Sequence, residues 1–408
     1  MDQSARTADP DAVRVQVVDF FSGAGGMSHG FATAAHPRLR YEIKGAVEID
    51  PHANATYARM LGVTPTERDV RELLQPAALA DCAARWGLDR TRPFLLIGCA
   101  PCQGFSSHRK KDARVDPRDS LVEVFGRIAT QLRPDVVVME NVPELLQDRH
   151  WNHFHVWRRA LEGAGYHVRV QIHNVAEYGV PQERFRTLAV AARDWRHFDL
   201  PAPTHTPERF RTVREAIGHL PPLAAGDADP RDPMHVTSHH RAATVELLRL
   251  IPPDGGSRRA LPADVVRDCH RRVDGFRDVY GRLAWEKPAV AITARCRTPS
   301  CGRFTHPEQH RGLSVREAAL LQGFPADYLF EGPFDDKFKQ IGNAVSPIFA
   351  RAVATHLAEE WFRDHGPERR EQALDCDVTS PIRKSFSSSI AGIKRRARRA
   401  ADAQVRMW

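Results

Sequence analysis

Four side chains capable of chemistry stand at the edges of short apolar or β-rich runs. Cys102 lies in Gly98-Cys99-Ala100-Pro101-Cys102-Gln103-Gly104-Phe105-Ser106, directly after the apolar run 94–97. A thiol there has three readings: an inert buried cysteine, half of a C-x-x-C redox pair with Cys99, or a nucleophile. For the last, Pro101 would stiffen the approach, and the main-chain N–H groups of Gln103 and Gly104 would favour the thiolate. The local residues leave all three open. Glu140 ends a second apolar run, 134–139, in Glu140-Asn141-Val142-Pro143. A carboxyl there is a surface group, a helix cap, or, beside an apolar strand, an acid of raised pKa that holds a proton. Arg184 and Arg186 precede a third run, 187–191, and share one side if the chain is extended. That suits surface salt bridging, or equally an anion or a base edge.

Short unbroken apolar runs bounded by Gly and Pro read as buried parallel strands, whose carboxyl ends carry the chemistry in open α/β sheets. The run 14–19 is followed by Phe20-Phe21-Ser22-Gly23-Ala24-Gly25-Gly26-Met27-Ser28-His29-Gly30-Phe31, a glycine-rich turn opening a helix. A backbone can approach a nucleotide-like ligand closely at such a turn. Glu48 ends the next strand at about the 20-residue distance expected of a ribose-hydroxyl acceptor. The spacing G-x-G-x-x-G is absent, so a plain dinucleotide fingerprint fits poorly. Asp69 ends a third strand and could either meet an adenine amino group or cap the turn 70–74. Helices are predicted over 51–61, 121–132 and 151–163, and a strand over 166–174.

From about residue 195 the βα rhythm stops and prolines recur. The expected organisation is a catalytic domain over 12–195, a smaller irregular domain over 196–325, a return to the first domain over 326–375 and a basic tail over 376–408. Ser314 and Glu317 form a capping box for a helix ending near Phe324. Residues 340–347 open a further helix that runs to Trp361 and belongs to the returning part. Cys296, Cys301, His306 and His310 lack a second properly spaced pair, so no metal is expected.

At 408 residues the chain can bury large cores without disulfide staples, and seven irregularly placed cysteines suggest a reducing compartment. The polar start predicts no secretion signal, and no apolar run reaches the ~18 residues of a membrane span. Most of the formal charge of +8 sits at the end: Arg383, Lys384, Lys394, Arg395, Arg396, Arg398, Arg399 and Arg406 stand against Asp402 alone. Serines 385 and 387–389 predict a flexible start to this tail. It is either a solvated run or an electrostatic arm for nucleic-acid phosphates.

Taken in order, these segments resemble the cytosine-5 DNA methyltransferase family, in its prokaryotic, S-adenosylmethionine-dependent form. D-F-F-S-G-A-G-G-M-S-H-G-F is similar to the family's first motif, A-P-C-Q-G-F-S to the nucleophile motif, E-N-V to the acid motif and Q-E-R-F-R to the arginine motif. R-G-L-S-V-R-E-A-A-L-L-Q-G-F-P and G-N-A-V-S-P are similar to the last two. The departures are Phe20 for a usual leucine, Ala100 for a proline and Ser346 for a proline; Ala100 leaves the rigidity of the Cys102 loop in question. The resemblance implies a Rossmann-like, mostly parallel, doubly wound α/β sheet with a second, smaller target-recognition domain. It implies that Cys102 adds to C6 of a flipped-out cytosine, that Glu140 assists at N3, and that Arg184 and Arg186 hold the base or its backbone. S-adenosylmethionine would lie on Phe20, Phe21, Gly23, Gly25, Glu48, Asp69 and Asn343. The expected substrate is double-stranded DNA, and the protein is expected to be a cytoplasmic monomer, nucleoid-associated when bound to DNA, with a cognate restriction or defence system as its setting. An RNA cytosine methyltransferase and a C-x-x-C redox enzyme are the alternatives.

Overall fold

A computed structural model describes residues 12–101, 121–262, 264–265, 278–363 and 377–382. The β-branched and aliphatic runs form strands β1 (Val13–Phe20), β2 (Leu39–Glu48), β3 (Thr66–Glu67), β4 (Phe94–Gly98), β5 (Val136–Asn141) and β6 (His167–Asn174). After β7 (Gln182–Glu183) comes β8 (Phe185–Ala192). Seven strands make one sheet in the order β3-β2-β1-β4-β5-β8-β6. β1, β2, β3, β4 and β5 are mutually parallel, and β8 runs antiparallel to both neighbours. The strand order reverses between β1 and β4, where Phe20 pairs with Gly98. A crevice outside the carboxyl ends of the strands is the usual ligand site of such a sheet.

Helices α1 (Gly26–Ala32), α2 (Pro51–Leu61), α3 (Pro76–Arg85), α4 (Leu121–Leu132) and α5 (Trp151–Gly163) connect the strands. The Asp50 carboxylate caps α2 by accepting the His52 and Ala53 N–H groups, and Gly62 ends it in the left-handed conformation. The alanine-rich α3, which the sequence reading passed over, begins with Pro76 at its first turn. Val18, Leu96, Val137 and Ala189 from the sheet pack with Phe125, Ile128, Phe154 and Trp157 from α4 and α5 into one core. β4 and β5 are buried along nearly their whole length, as unbroken apolar runs require.

The chain forms two compact units. The first takes residues 1–174, 185–203 and 349–408, and the second 175–184 and 204–348. These breaks differ from those drawn on composition. The helix Phe334–Asn343, expected in the returning part, groups with the second unit, and only from Phe349 does the chain rejoin the first. Residues 340–347 also span two helices, Phe334–Asn343 and Pro347–Trp361, rather than opening one.

Within the second unit, β7 pairs with β9 (Ala289–Val290), and much of the remainder is irregular. Its order comes from buried arginines. Arg282 donates to the carbonyls of Leu248, Ile251, His306 and Gln309 and to His310. The predicted capping box is present: Ser314 Oγ accepts the Glu317 N–H at 3.1 Å, and Glu317 Oε2 accepts the Ser314 N–H at 2.7 Å. His306 Nδ1 accepts the N–H groups of Glu308 and Gln309. Among the described residues no helix is long and apolar enough to cross a membrane, and no cluster of His, Cys, Asp and Glu is placed to hold a metal.

Candidate active site at the carboxyl edge of the sheet

Between β1 and α1 the backbone turns through left-handed conformations at Phe21 (φ 57°), Gly23 (φ 52°) and Gly25 (φ 81°). Only glycine adopts these angles without steric cost. Nothing among the described atoms lies within 4 Å of where a Cβ on Gly23 would project. The Glu48 carboxylate sits beside it. Oε2 accepts the Gly23 N–H at 2.9 Å, and Oε1 accepts the N–H groups of Ile49 (2.8 Å) and Asp50 (2.9 Å). The buried Ser22 hydroxyl has no partner among the described residues. Ile49, a large apolar side chain following Glu48, is 62% exposed.

Beneath the turn, Asp19 is fully buried and accepts the Ser28 hydroxyl at 2.6 Å, while Tyr57 donates to Ser28 at 2.7 Å. Burial pushes the Asp19 pKa up to about 7, opposed by the Ser28 hydrogen bond and assisted by the charge of Glu48. A carboxyl with raised pKa binds its proton more tightly in the folded chain. The cost of ionising it therefore grows as pH rises from about 4 to about 7, and is constant above. Asp19→Asn is expected to flatten this part of the stability profile. Its melting temperature should fall less between pH 5 and pH 8 than that of the unmodified chain, by roughly 5 °C. Parallel profiles from differential scanning calorimetry would show that Asp19 does not control this dependence.

One strand further along, β4 and β5 bring their carboxyl ends side by side. Glu140 is 3% exposed, and each of its oxygens has a partner. Arg186 Nε lies 3.0 Å from Oε1, and the Cys99 thiol donates to Oε2 at 3.1 Å. Arg186 reaches Glu140 because β8 is antiparallel: Thr187 pairs with Asn141, so the start of β8 lies where β5 ends. The residues leading into the Cys102 loop are tied down. The Cys99 N–H donates to Phe20 O at 3.3 Å, and Asn141 Nδ2 donates to the carbonyl of the buried Ala100 at 3.2 Å. Asn141 thus secures the peptide at Ala100, the position that precedes Pro101. Cys102 lies outside the described residues.

Several sequence-predicted site residues have other surroundings. Phe20 is completely buried, its ring against Trp86 and Phe125, so this side chain belongs to the core. Along β1 the apolar residues pack inward up to Phe20, and the next side chain, Phe21, is half-buried at the turn. Asp69 caps the turn Val70–Leu74 by accepting the Arg71 N–H, and it also pairs with the Arg71 guanidinium at 2.9 Å. Arg184 is in the second unit and 5% exposed, and donates to the carbonyls of Ile292 (2.5 Å) and Gly342 (3.0 Å). Asn343, also in the second unit, is the last, exposed residue of its helix. Sequence reasoning passed over Asp19, Ile49 and Asn141 as individual contributors, and weighed Cys99 only as half of a redox pair. Ile49 and Asn141 were legible in principle, since each directly follows an acid singled out at a strand end.

A doubly wound sheet with a glycine turn and an acid at the first two strand ends, and a clamped carboxyl nearby, defines an α/β enzyme of the nucleotide-binding type. Comparison with known proteins narrows the class. Residues 15–359 match the model of the C-5 cytosine-specific DNA methylase family, and the chain belongs to that family. It is 35% identical over 354 residues to the Type II methylase M.HgiDII of Herpetosiphon aurantiacus, covering 84% of this chain and 94% of that one. It is 33% identical to the Type II methyltransferase M1.HphI of Haemophilus parahaemolyticus, over 83% of this chain and 85% of the other. Among solved structures, one described as a DNA modification methyltransferase encoded within an E. coli prophage superimposes with a TM-score of 0.64 at 23% identity, covering 85% of this chain and 99% of that one. The Dnmt2 methyltransferase of S. pombe gives a TM-score of 0.52 at 16% identity, with 85% and 99% covered. These two likenesses concern the fold.

Proposed function

We propose that this DNA cytosine-5 methyltransferase modifies a specific site in duplex DNA, with Cys102 as nucleophile and Glu140 as the acid at N3. The observation that carries the reading is the clamped Glu140 carboxyl at the end of β5, beside the strand that leads into the Cys102 loop. Cytosine C5 is a poor nucleophile. A thiolate adding at C6 makes C5 nucleophilic, and negative charge accumulates on the ring as it does so. Glu140 absorbs that charge by donating to N3, while Arg186 holds the carboxyl in place. Once C5 has taken a methyl group, the donor sulfur leaving as a thioether, loss of the C5 proton to water and expulsion of the Cys102 thiolate restore the aromatic ring. A paired base is out of reach inside the duplex, so the target nucleotide is extruded, at a cost of a few kcal/mol.

S-adenosylmethionine, when bound, supplies the electrophilic methyl carbon. The glycine turn suits it: no described atom crowds the Cβ direction of Gly23, the Ser22 hydroxyl is unpartnered among the described residues, and Glu48 offers acceptor oxygens. Phe21 and the exposed Ile49 would flank the adenine, Glu48 would accept from the ribose hydroxyls, and Asp69 would accept from the adenine amino group. Gly25 shapes the turn. Arg184, bonded to main-chain carbonyls, acts by ordering the segment around Ile292 and Gly342. The second unit is the proposed reader of base edges. Relatives named as Type II enzymes support a restriction-modification setting.

The purified protein with methyl-labelled S-adenosylmethionine is expected to label duplex DNA at cytosine C5, and bisulfite sequencing of a host expressing it would reveal the site. Labelling of RNA alone would overturn the DNA reading. The tail gives a separate expectation. Residues 377–382 are fastened to the first unit: Val170 N–H donates to Asp377 Oδ1, Val378 N–H to Val170 O, and Ile382 N–H to Leu146 O. The basic segment 383–408 lies outside the described residues. Truncation after Ile382 keeps this fastening and is expected to weaken DNA binding and flatten its salt dependence, by about 0.9 in slope for each phosphate that is no longer neutralised. Unchanged binding at low salt would reject an electrostatic arm.

A further inference from the structure

We infer that Cys99 is a positioning residue for Glu140, its thiol acting with Arg186 to fix the carboxyl against the target base; this rests on the proposed role of Glu140 at N3. Arg186 Nε engages one carboxylate oxygen at 3.0 Å and Cys99 Sγ the other at 3.1 Å. A carboxyl group offers about four lone-pair positions, so the thiol hydrogen bond and the ion pair leave room for the base edge and for the proton that N3 takes, while limiting rotation of the group. At 3% exposure Glu140 has little access to water, and an oxygen deprived of its donor there would be poorly compensated. Cys99 is itself held, since its N–H donates to Phe20 O at 3.3 Å and the following carbonyl, of Ala100, accepts from Asn141. The thiol is thus presented from one strand end to the acid of the next. The first cysteine of the C-x-x-C has a function here that needs no disulfide.

Cys99→Ala removes the donor with little change in volume, and Cys99→Ser restores one. The full-length variants are to be compared with Glu140→Gln and Cys102→Ser, each checked by thermal melting. For Cys99→Ala, kcat for methyl transfer and the rate of covalent trapping on duplex DNA containing 5-fluorocytosine should both fall about tenfold, the scale of one hydrogen bond to a charged group. KM for DNA and S-adenosylmethionine affinity measured by calorimetry should change less than about threefold, because these depend on other contacts. Cys99→Ser should recover kcat to within about threefold. Cys99→Ala indistinguishable from the unmodified enzyme, with Glu140→Gln impaired, would overturn the inference and leave the role of Glu140 standing. A Cys99→Ser variant as slow as Cys99→Ala would also overturn it, since a donor alone would not suffice. Full activity in Glu140→Gln would instead remove the reading on which the inference rests.

Discussion

Replacing Cys102 by serine is expected to reduce methyl transfer to background and to abolish the adduct on 5-fluorocytosine DNA, while binding of DNA and S-adenosylmethionine persists. The thiol is far more acidic than an alcohol and intrinsically more nucleophilic, so a hydroxyl at the same position cannot supply the C6 adduct on which the rest depends. Loss of a nucleophile typically removes at least three orders of magnitude in rate. Glu140→Gln is expected to be less severe, about 10²–10⁴-fold in kcat, because the amide retains polarity and shape but has no acidic proton for N3. It also replaces the carboxyl oxygen that lies 3.0 Å from Arg186 Nε with an amide group. Single-turnover transfer and gel-resolved adduct formation distinguish the two, since the glutamine variant should still form adduct slowly. A redox enzyme would instead make Cys99→Ser as damaging as Cys102→Ser. Substantial adduct formation in Cys102→Ser would end the covalent reading.

The parts of this molecule that were legible in sequence are those where local chemistry and global position agree. Phe94–Gly98 and Val136–Asn141 are apolar enough to be fully embedded strands, and reactive residues after such strands fall on one edge of the sheet. The Ser314–Glu317 box was readable because both of its hydrogen bonds join residues three apart. What was not legible depends on direction or on long-range partners. Phe20 and Phe21 are adjacent aromatics, and only the change from extended to left-handed backbone after Phe20 decides which one is core. Arg184 and Arg186 share one motif, yet belong to different units: one donates to main-chain carbonyls and the other forms an ion pair with Glu140. The reversal of β8, which brings Arg186 to the edge where β5 ends, has no signature in either strand's own sequence. Proline content located the change in texture near residue 195. It could not show that residues 175–184 and 334–343 group with the second unit.

Arg311→Met is expected to open the helix Val315–Gln322 to solvent exchange by about two to three orders of magnitude. Arg311 and Glu317 are both essentially unexposed, and two parallel N–H···O bonds of 2.8 and 2.7 Å join them. Arg311 also donates to the carbonyls of Leu223 and Gly312 and to Gln309. Removing the cation leaves a buried carboxylate that still accepts the Ser314 N–H but is without its counter-charge, a change that typically costs about 3–5 kcal/mol. Burial alone would raise the Glu317 pKa; the charge and hydrogen bonds of Arg311 outweigh it and hold it at about 2, against an ordinary value of 4.5. A depressed carboxyl stabilises the fold fully above its unfolded pKa, and that contribution disappears as pH falls from about 4.5 to about 2. Over that interval the unmodified chain should lose about 3 kcal/mol of stability through this pair, and Arg311→Met should be nearly insensitive to pH there. Hydrogen exchange of the peptide 311–322, read by mass spectrometry across that range, checks both. The double variant Arg311→Met with Glu317→Leu separates the cost of a stranded charge from the value of the pair. With neither charge buried, exchange should return most of the way toward the unmodified rate, short by the capping contribution of Glu317, about 1 kcal/mol. A double variant as open as Arg311→Met would mean that the carbonyl contacts of Arg311, rather than its pairing with Glu317, hold this helix in place.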